Sequence, residues 1–162
     1  MLANTVFMKK LAITALVLLT AACTNHSHKE NKDGVERNVV EINMSSLWSD
    51  INSTVVEKDD IIKIRLKKSH ENQLAVKTPE GKFYFIAMSP KEQMNAIYSS
   101  EEFQNLKSIE LNVNSLKLVP YQYQKVEKER VFNKKGTYQF MLSENLETEV
   151  GAKIREVEFL GR

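Results

Sequence analysis

Asp60–Lys68 reads DIIKIRLKK. Ile62, Ile64 and Leu66 alternate with Lys63, Arg65 and Lys67, the period-2 pattern of a strand with one face in a core and the other in water. The same alternation puts three cations in a row on the outer face. Such a row suits an anionic contact, either lipid headgroups or an acidic partner. A solvated face, on which lysine also discourages edge pairing, is the simpler reading.

On either side the chain keeps to short strand patterns. Val35–Met44 (VERNVVEINM) predicts a strand through Val39, Val40 and Ile42. Ser45–Ile51 (SSLWSDI) predicts a short helical turn, with the single tryptophan, Trp48, as a core anchor. Gln73–Thr78 and Lys82–Met88 flank Pro79-Glu80-Gly81 and predict a hairpin. Its second arm carries Phe83, Tyr84, Phe85 and Ile86, apolar on both faces, as in a central covered strand. Ser89-Pro90-Lys91-Glu92 and Ser99-Ser100-Glu101-Glu102 both have the serine and glutamate of a capping box and predict two short helices. The first would carry Met94, Ile97 and Tyr98 on one face, the second Phe103 and Leu106. Ser108–Leu118 (SIELNVNSLKL) alternates with a change of phase at Asn114-Ser115, a bend or bulge. Val119–Tyr123 continues extended, and Lys125–Phe132 predicts one further strand. Lys153–Leu160 (KIREVEFL) predicts the last strand, with Ile154, Val157 and Phe159 in the core and a bulge between them.

Phe132–Phe140 reads FNKKGTYQF. This string resembles the penultimate strand of Greek-key β-sandwiches, where a glycine turn leads into a strand whose tyrosine packs at a corner. The resemblance covers nine residues and implies an architecture only. The fold expected for residues 35–162 is mainly β: a single antiparallel, β-sandwich-like domain of Greek-key type with one or two short inserted helices.

The N-terminal part carries a more specific signal. Lys9-Lys10 precede a 12-residue apolar run, Leu11–Ala22, that ends at Cys23, the only cysteine of the 162 residues. A charged start, a short apolar core and a small-residue exit make an export signal. As a helix the run spans about 18 Å, short of the ~30 Å hydrocarbon core of a bilayer. Leu19-Thr20-Ala21-Ala22-Cys23 resembles the lipobox of bacterial lipoprotein precursors, with threonine where leucine is commonest. The resemblance implies cleavage before Cys23, so that residues 1–22 are a signal peptide, and acylation of Cys23. Because Thr24 is not aspartate, it also implies the periplasmic face of the outer membrane in a bacterium that has one. Met8 is itself a suitable start for such a precursor.

Residues 23–34 are then expected to be the lipidated cysteine and a flexible tether, TNHSHKENKDG after the cysteine. They contain no large apolar side chain to offset the entropy of ordering. His26 and His28 are weak metal candidates, since a specific site wants three or four ligands; a solvated linker is the simpler reading, and no metal or other cofactor is expected. Glu144, Glu147 and Glu149 lack the spacing and glycine of a calcium loop.

Lys9 and Lys10 are two of the 23 Lys+Arg; without them cations equal the 21 Asp+Glu. A balanced charge argues against a nucleic-acid partner. The only histidine after the tether is His70, and no G-x-S-x-G, H-E-x-x-H, P-loop or dinucleotide fingerprint is present. The expected function is therefore a membrane-anchored, non-enzymatic binding or accessory protein of the cell envelope. Its partners would be the lipid bilayer, through acylated Cys23, and an envelope protein. The alternatives are a small-ligand or carbohydrate binder using Tyr121 and Tyr123, and a hydrolase with a dispersed site.

Overall fold

In the computed structural model the alternating stretch forms β4 (Ile61–Arg65), the centre of a four-stranded sheet. The structure describes residues 27–32, 34–45, 54–68, 70–91, 95–121, 127–148 and 151–162. β4 lies between β2 (Val35–Asn43) and β7 (Ser108–Asn112), and β1 (Ser27–Lys32) adds to the other edge of β2, in the order β1-β2-β4-β7. The second sheet has five strands. β3 (Thr54–Val56), β11 (Lys153–Phe159), β10 (Gly136–Ser143), β5 (Gln73–Lys77) and β6 (Phe83–Ala87) follow one another in that order. A small ribbon pairs β8 (Lys117–Leu118) with β9 (Glu129–Arg130).

The two sheets face each other across one apolar core. Val40, Ile42, Ile62, Ile64, Ile109 and Leu111 come from the first sheet, and Leu74, Val76, Tyr84, Ile86, Phe140 and Val157 from the second. Each such side chain contributes about 1.5–3 kcal/mol on burial. The protein is thus mainly β and β-sandwich-like. It is not wholly antiparallel: β2 runs parallel to β4, and β3 parallel to β11. The cause is the path of the chain, which leaves the first sheet after β2, adds β3 to the second, and returns as β4.

The hairpin β5–β6 forms as expected. Thr78 O accepts from Gly81 N at 2.9 Å, and Gly81 takes φ 82° to restart the ladder. β6 is the last strand of its sheet, not a central one, yet both faces and its edge are covered. Tyr84 and Ile86 face the main core, and Phe85 belongs to a second cluster with Ala75, Met141 and Leu146 on the outer face. Its edge receives Ile97 N and Tyr98 N at Ile86 O and Tyr121 N at Phe83 O.

Ile97 therefore lies in a bend and Tyr98 in an isolated bridge to Ala87, and neither is on a helix. Two donors to the β6 edge outweigh the helical spacing; residues 92–94 of that expected helix lie outside the described residues. The second capping box is formed, with Ser99 capping α1 (Ser100–Gln104) and Phe103 fully buried. The change of phase after β7 is a turn in which Asn112 Oδ1 accepts from Asn114 N and Ser115 N. Within Lys125–Phe132 only Glu129–Arg130 is strand among the described residues.

At the start of β10, Tyr138 Oη donates to Lys134 O at 2.8 Å, the corner expected from FNKKGTYQF. β11 pairs with β10 without a break from Gly136↔Phe159 to Leu142↔Lys153. With no bulge, Ile154 falls on the outer face at 39% exposure, while Val157 and Phe159 are buried.

The expected tether also needs correction. Ser27–Lys32 is an edge strand, paired antiparallel from Ser27↔Val40 to Lys32↔Val35. An edge strand is held by backbone hydrogen bonds to its neighbour, so the lack of apolar side chains did not prevent it. Trp48 lies outside the described residues.

Candidate functional site

Glu41, Lys63 and Glu110 are cross-strand neighbours on β2, β4 and β7, with Arg65 two pairs further along on the same face. Arg65 Nε and Nη2 each lie 2.8 Å from a different oxygen of Glu41, a bidentate pair that lowers the Glu41 pKa below its ordinary value. Lys63 Nζ is 3.6 Å from Glu110. Two of the three expected cations are thus neutralised by carboxylates on neighbouring strands, because cross-strand pairing brings opposite charges together. Lys67 lies past the end of β4 and is exposed.

Tyr121 is no free aromatic platform. Its ring packs edge-on against Phe85, with centroids 5.2 Å apart, and its hydroxyl donates to Glu147 at 3.2 Å. Tyr123, Cys23 and His26 lie outside the described residues. His28 is on β1 and exposed. Among the described residues no three His, Cys, Asp or Glu side chains converge as metal ligands.

His70 is 6% exposed, with its ring edge-on to Phe103. Nδ1 is 2.6 Å from Glu71 O and Nε2 3.2 Å from Leu106 O. Both ring nitrogens are occupied by the backbone, so the ring joins the β4–β5 loop to the end of α1 and offers no free nitrogen to a substrate.

Asp60 is also buried. Its Oδ2 accepts from Glu57 N at 2.7 Å and so closes the turn that leads into β4. Burial pushes its pKa up, the Glu57 N–H offsets part of that rise, and the Glu57 and Asp59 carboxylates add to it. The folded protein then holds this proton more tightly than the unfolded chain, so ionising Asp60 costs stability. The cost is absent below the unfolded value, near 3.8, and develops as pH rises through the folded one. Asp60→Asn is accordingly expected to be more stable than the parent at pH 7 and level with it near pH 3. Urea titrations at the two pH values test this, and a variant weaker at pH 7 contradicts it.

Two groupings were not visible in the sequence. Glu129 Oε1 accepts from Tyr84 Oη at 2.6 Å and Lys82 Nζ at 2.7 Å. Burial and this carboxylate push the tyrosine pKa up. The trio ties the β8–β9 ribbon to β6. The second is an open cleft of about 460 Å³ on the outer face of the five-stranded sheet, beside the Thr78–Gly81 turn. Gln139 forms its floor, flanked in register by Lys77 and Glu156, and its amide donates to Glu156 at 2.9 Å. Neither was legible because each joins residues far apart in sequence through strand pairing.

No family model matches the chain, and no curated protein or solved structure matches it. The fold thus defines the class, a mainly β, sandwich-like protein. Among the described residues no helix is long and apolar enough to cross a membrane.

Proposed function

We propose that the protein is a bacterial lipoprotein whose β-sandwich-like domain serves as a non-enzymatic binding or accessory protein of the cell envelope. It is anchored through acylated Cys23 on the periplasmic face of the outer membrane. The observation that carries this reading is the stretch Lys9–Cys23, a charged start and short apolar run ending at the one cysteine of the chain. The body supports the non-enzymatic part. His70, the histidine a Ser-His-acid site would need, is buried with both ring nitrogens on carbonyl oxygens.

Each buried CH₂ of an acyl chain is worth ~0.8 kcal/mol, so two or three chains on one cysteine hold a protein essentially permanently. Cys23→Ser is therefore expected to lose more than about 90% of membrane retention after a high-salt wash, with the domain still folded. Fractionation followed by immunoblotting checks this; full retention of the variant sinks the anchor. The Lys77–Gln139–Glu156 cleft favours a second reading, a binder of a small polar ligand.

A further inference from the structure

β1 changes what the anchor does to the domain. Only Thr24, Asn25 and His26 separate Cys23 from Ser27, the first residue of β1. Four residue steps span at most about 14 Å. The registers show which end of the sandwich this short leash holds. Ser27 pairs with Val40, Val40 with Ile62, and Ile62 with Leu111. β1 enters from the side on which β2 and β4 end and β7 begins, where Asn43, Arg65 and Ser108 form the last row. That row lies three residues, about 10 Å, beyond Ser27 toward the anchor. Leu66–Lys68 and Lys107 continue past it. A leash of about 14 Å, of which about 10 Å is spent passing the body, brings this end within a Debye length of the headgroups.

The same end carries unneutralised positive charge. Lys67 and Lys68 follow β4, and Lys107 precedes β7; the backbone joins them, since Leu66 N donates to Lys107 O at 2.8 Å. All three side chains are exposed. Lys63, Arg65, Lys91 and Lys153 each have a carboxylate partner, at Glu110, Glu41, Glu102 and Glu71. Among the described residues Lys67, Lys68 and Lys107 have none. Among the described residues of the acidic loop, Glu144 and Glu147 pair with none of the three. The loop lies over the outer face of the other sheet, where Leu146 N bonds Gln73 and Glu147 bonds Tyr121.

We infer that the loop end bearing Lys67, Lys68 and Lys107 is a docking surface for anionic phospholipid headgroups, pressed onto the bilayer by the short link to acylated Cys23. This rests on the lipoprotein reading above. The acyl chains supply the attachment, and the lysines orient the sandwich with the opposite end, at Lys58 and Lys135, facing away. Each lysine at an anionic surface is worth about a fivefold change in partition, so the three together favour contact over a domain held clear of the bilayer on the order of a hundredfold, and the short link decides which end makes it.

The test is amine-reactive footprinting of the acylated mature protein, beginning at Cys23, reconstituted in three settings: phosphatidylethanolamine–phosphatidylglycerol vesicles, phosphatidylcholine vesicles and detergent. In the anionic vesicles Lys67, Lys68 and Lys107 are expected to be labelled at least several-fold more slowly than in detergent, while Lys58 and Lys135 are unchanged. The protection is expected to weaken with added salt. Equal labelling of all five lysines in vesicles and detergent overturns the inference. Equal protection in neutral and anionic vesicles overturns the headgroup recognition. Mass spectrometry of the N-terminal peptide separates the two readings: an unacylated Cys23 removes both, whereas an acylated Cys23 with unprotected lysines removes only this one.

Discussion

Phe132→Ala is expected to remove about 3–5 kcal/mol of folding stability, the usual cost of truncating a buried phenylalanine. Phe132 is 3% exposed. Its ring centroid lies 4.5 Å from Tyr138, 5.6 Å from Phe159 and 6.4 Å from Phe140. It therefore joins the segment before β10 to the two strands that form the middle of the larger sheet. The loss is a cavity plus three aromatic contacts, in a wall of aromatic rings that is poorly placed to collapse. Domains of this size have about 5–15 kcal/mol in all. In urea the midpoint should fall by roughly 1–3 M with the slope unchanged. A shift below about 0.3 M would mean that the aromatic cluster does not hold this region.

Gly136→Ala should cost about 2–4 kcal/mol, combining backbone strain with a clash. Gly136 has φ +137°, a conformation that L side chains rarely adopt. An added Cβ would stand 2.9 Å from Pro79 Cγ and 3.1 Å from Pro79 Cβ. Pro79 is a rigid ring in the β5–β6 turn, so neither side yields easily. Glycine is needed here twice over, and the close approach lets β10 start beside that turn. Pro79→Ala in the Gly136→Ala background should recover the part due to the Cγ clash and leave the part due to φ and to the 3.1 Å Cβ contact. Thermal unfolding of the four proteins of this cycle separates the terms; if Gly136→Ala alone leaves the melting temperature unchanged, both are wrong.

What could be read from the sequence was local. The alternation at Ile62–Leu66, the Pro-Glu-Gly turn, the box at Ser99 and Glu102 and the corner at Tyr138 each depend on side chains within a few residues of one another, and each is present. The misread elements turn on distant partners. Ser27–Lys32 has no apolar pattern because it is held by its backbone pairing with β2 and by the Lys29–Glu36 ion pair. Ile97 and Tyr98 have helical spacing from Met94 but are claimed by the free edge of β6. Ile154 is out of phase with Val157 and Phe159 and could join them in the core only through a bulge; unbroken pairing with β10 turns it out. At the candidate sites, the cationic alternation of β4 was visible but its neutralisation by Glu41 and Glu110 was not, since they lie on other strands. Lys68 and Lys107 gain their significance only from the row that places them beside the end at which β1 enters.

The parallel pairing of β3 with β11 has a consequence for how the chain is assembled. Val56 lies opposite Phe159, Leu160 N donates to Val56 O at 3.1 Å, and Lys58 N donates to Arg162 O at 2.7 Å. About a hundred residues separate the two halves of this seam, a long loop to close before any contact rewards it. A chain emerging from the ribosome therefore cannot shut its larger sheet until residues 153–162 are available, and β3 waits unpaired until then. Residues 153–162 thus complete a seam that Thr54–Val56 leaves open, and the five-stranded sheet closes by its most distant contact.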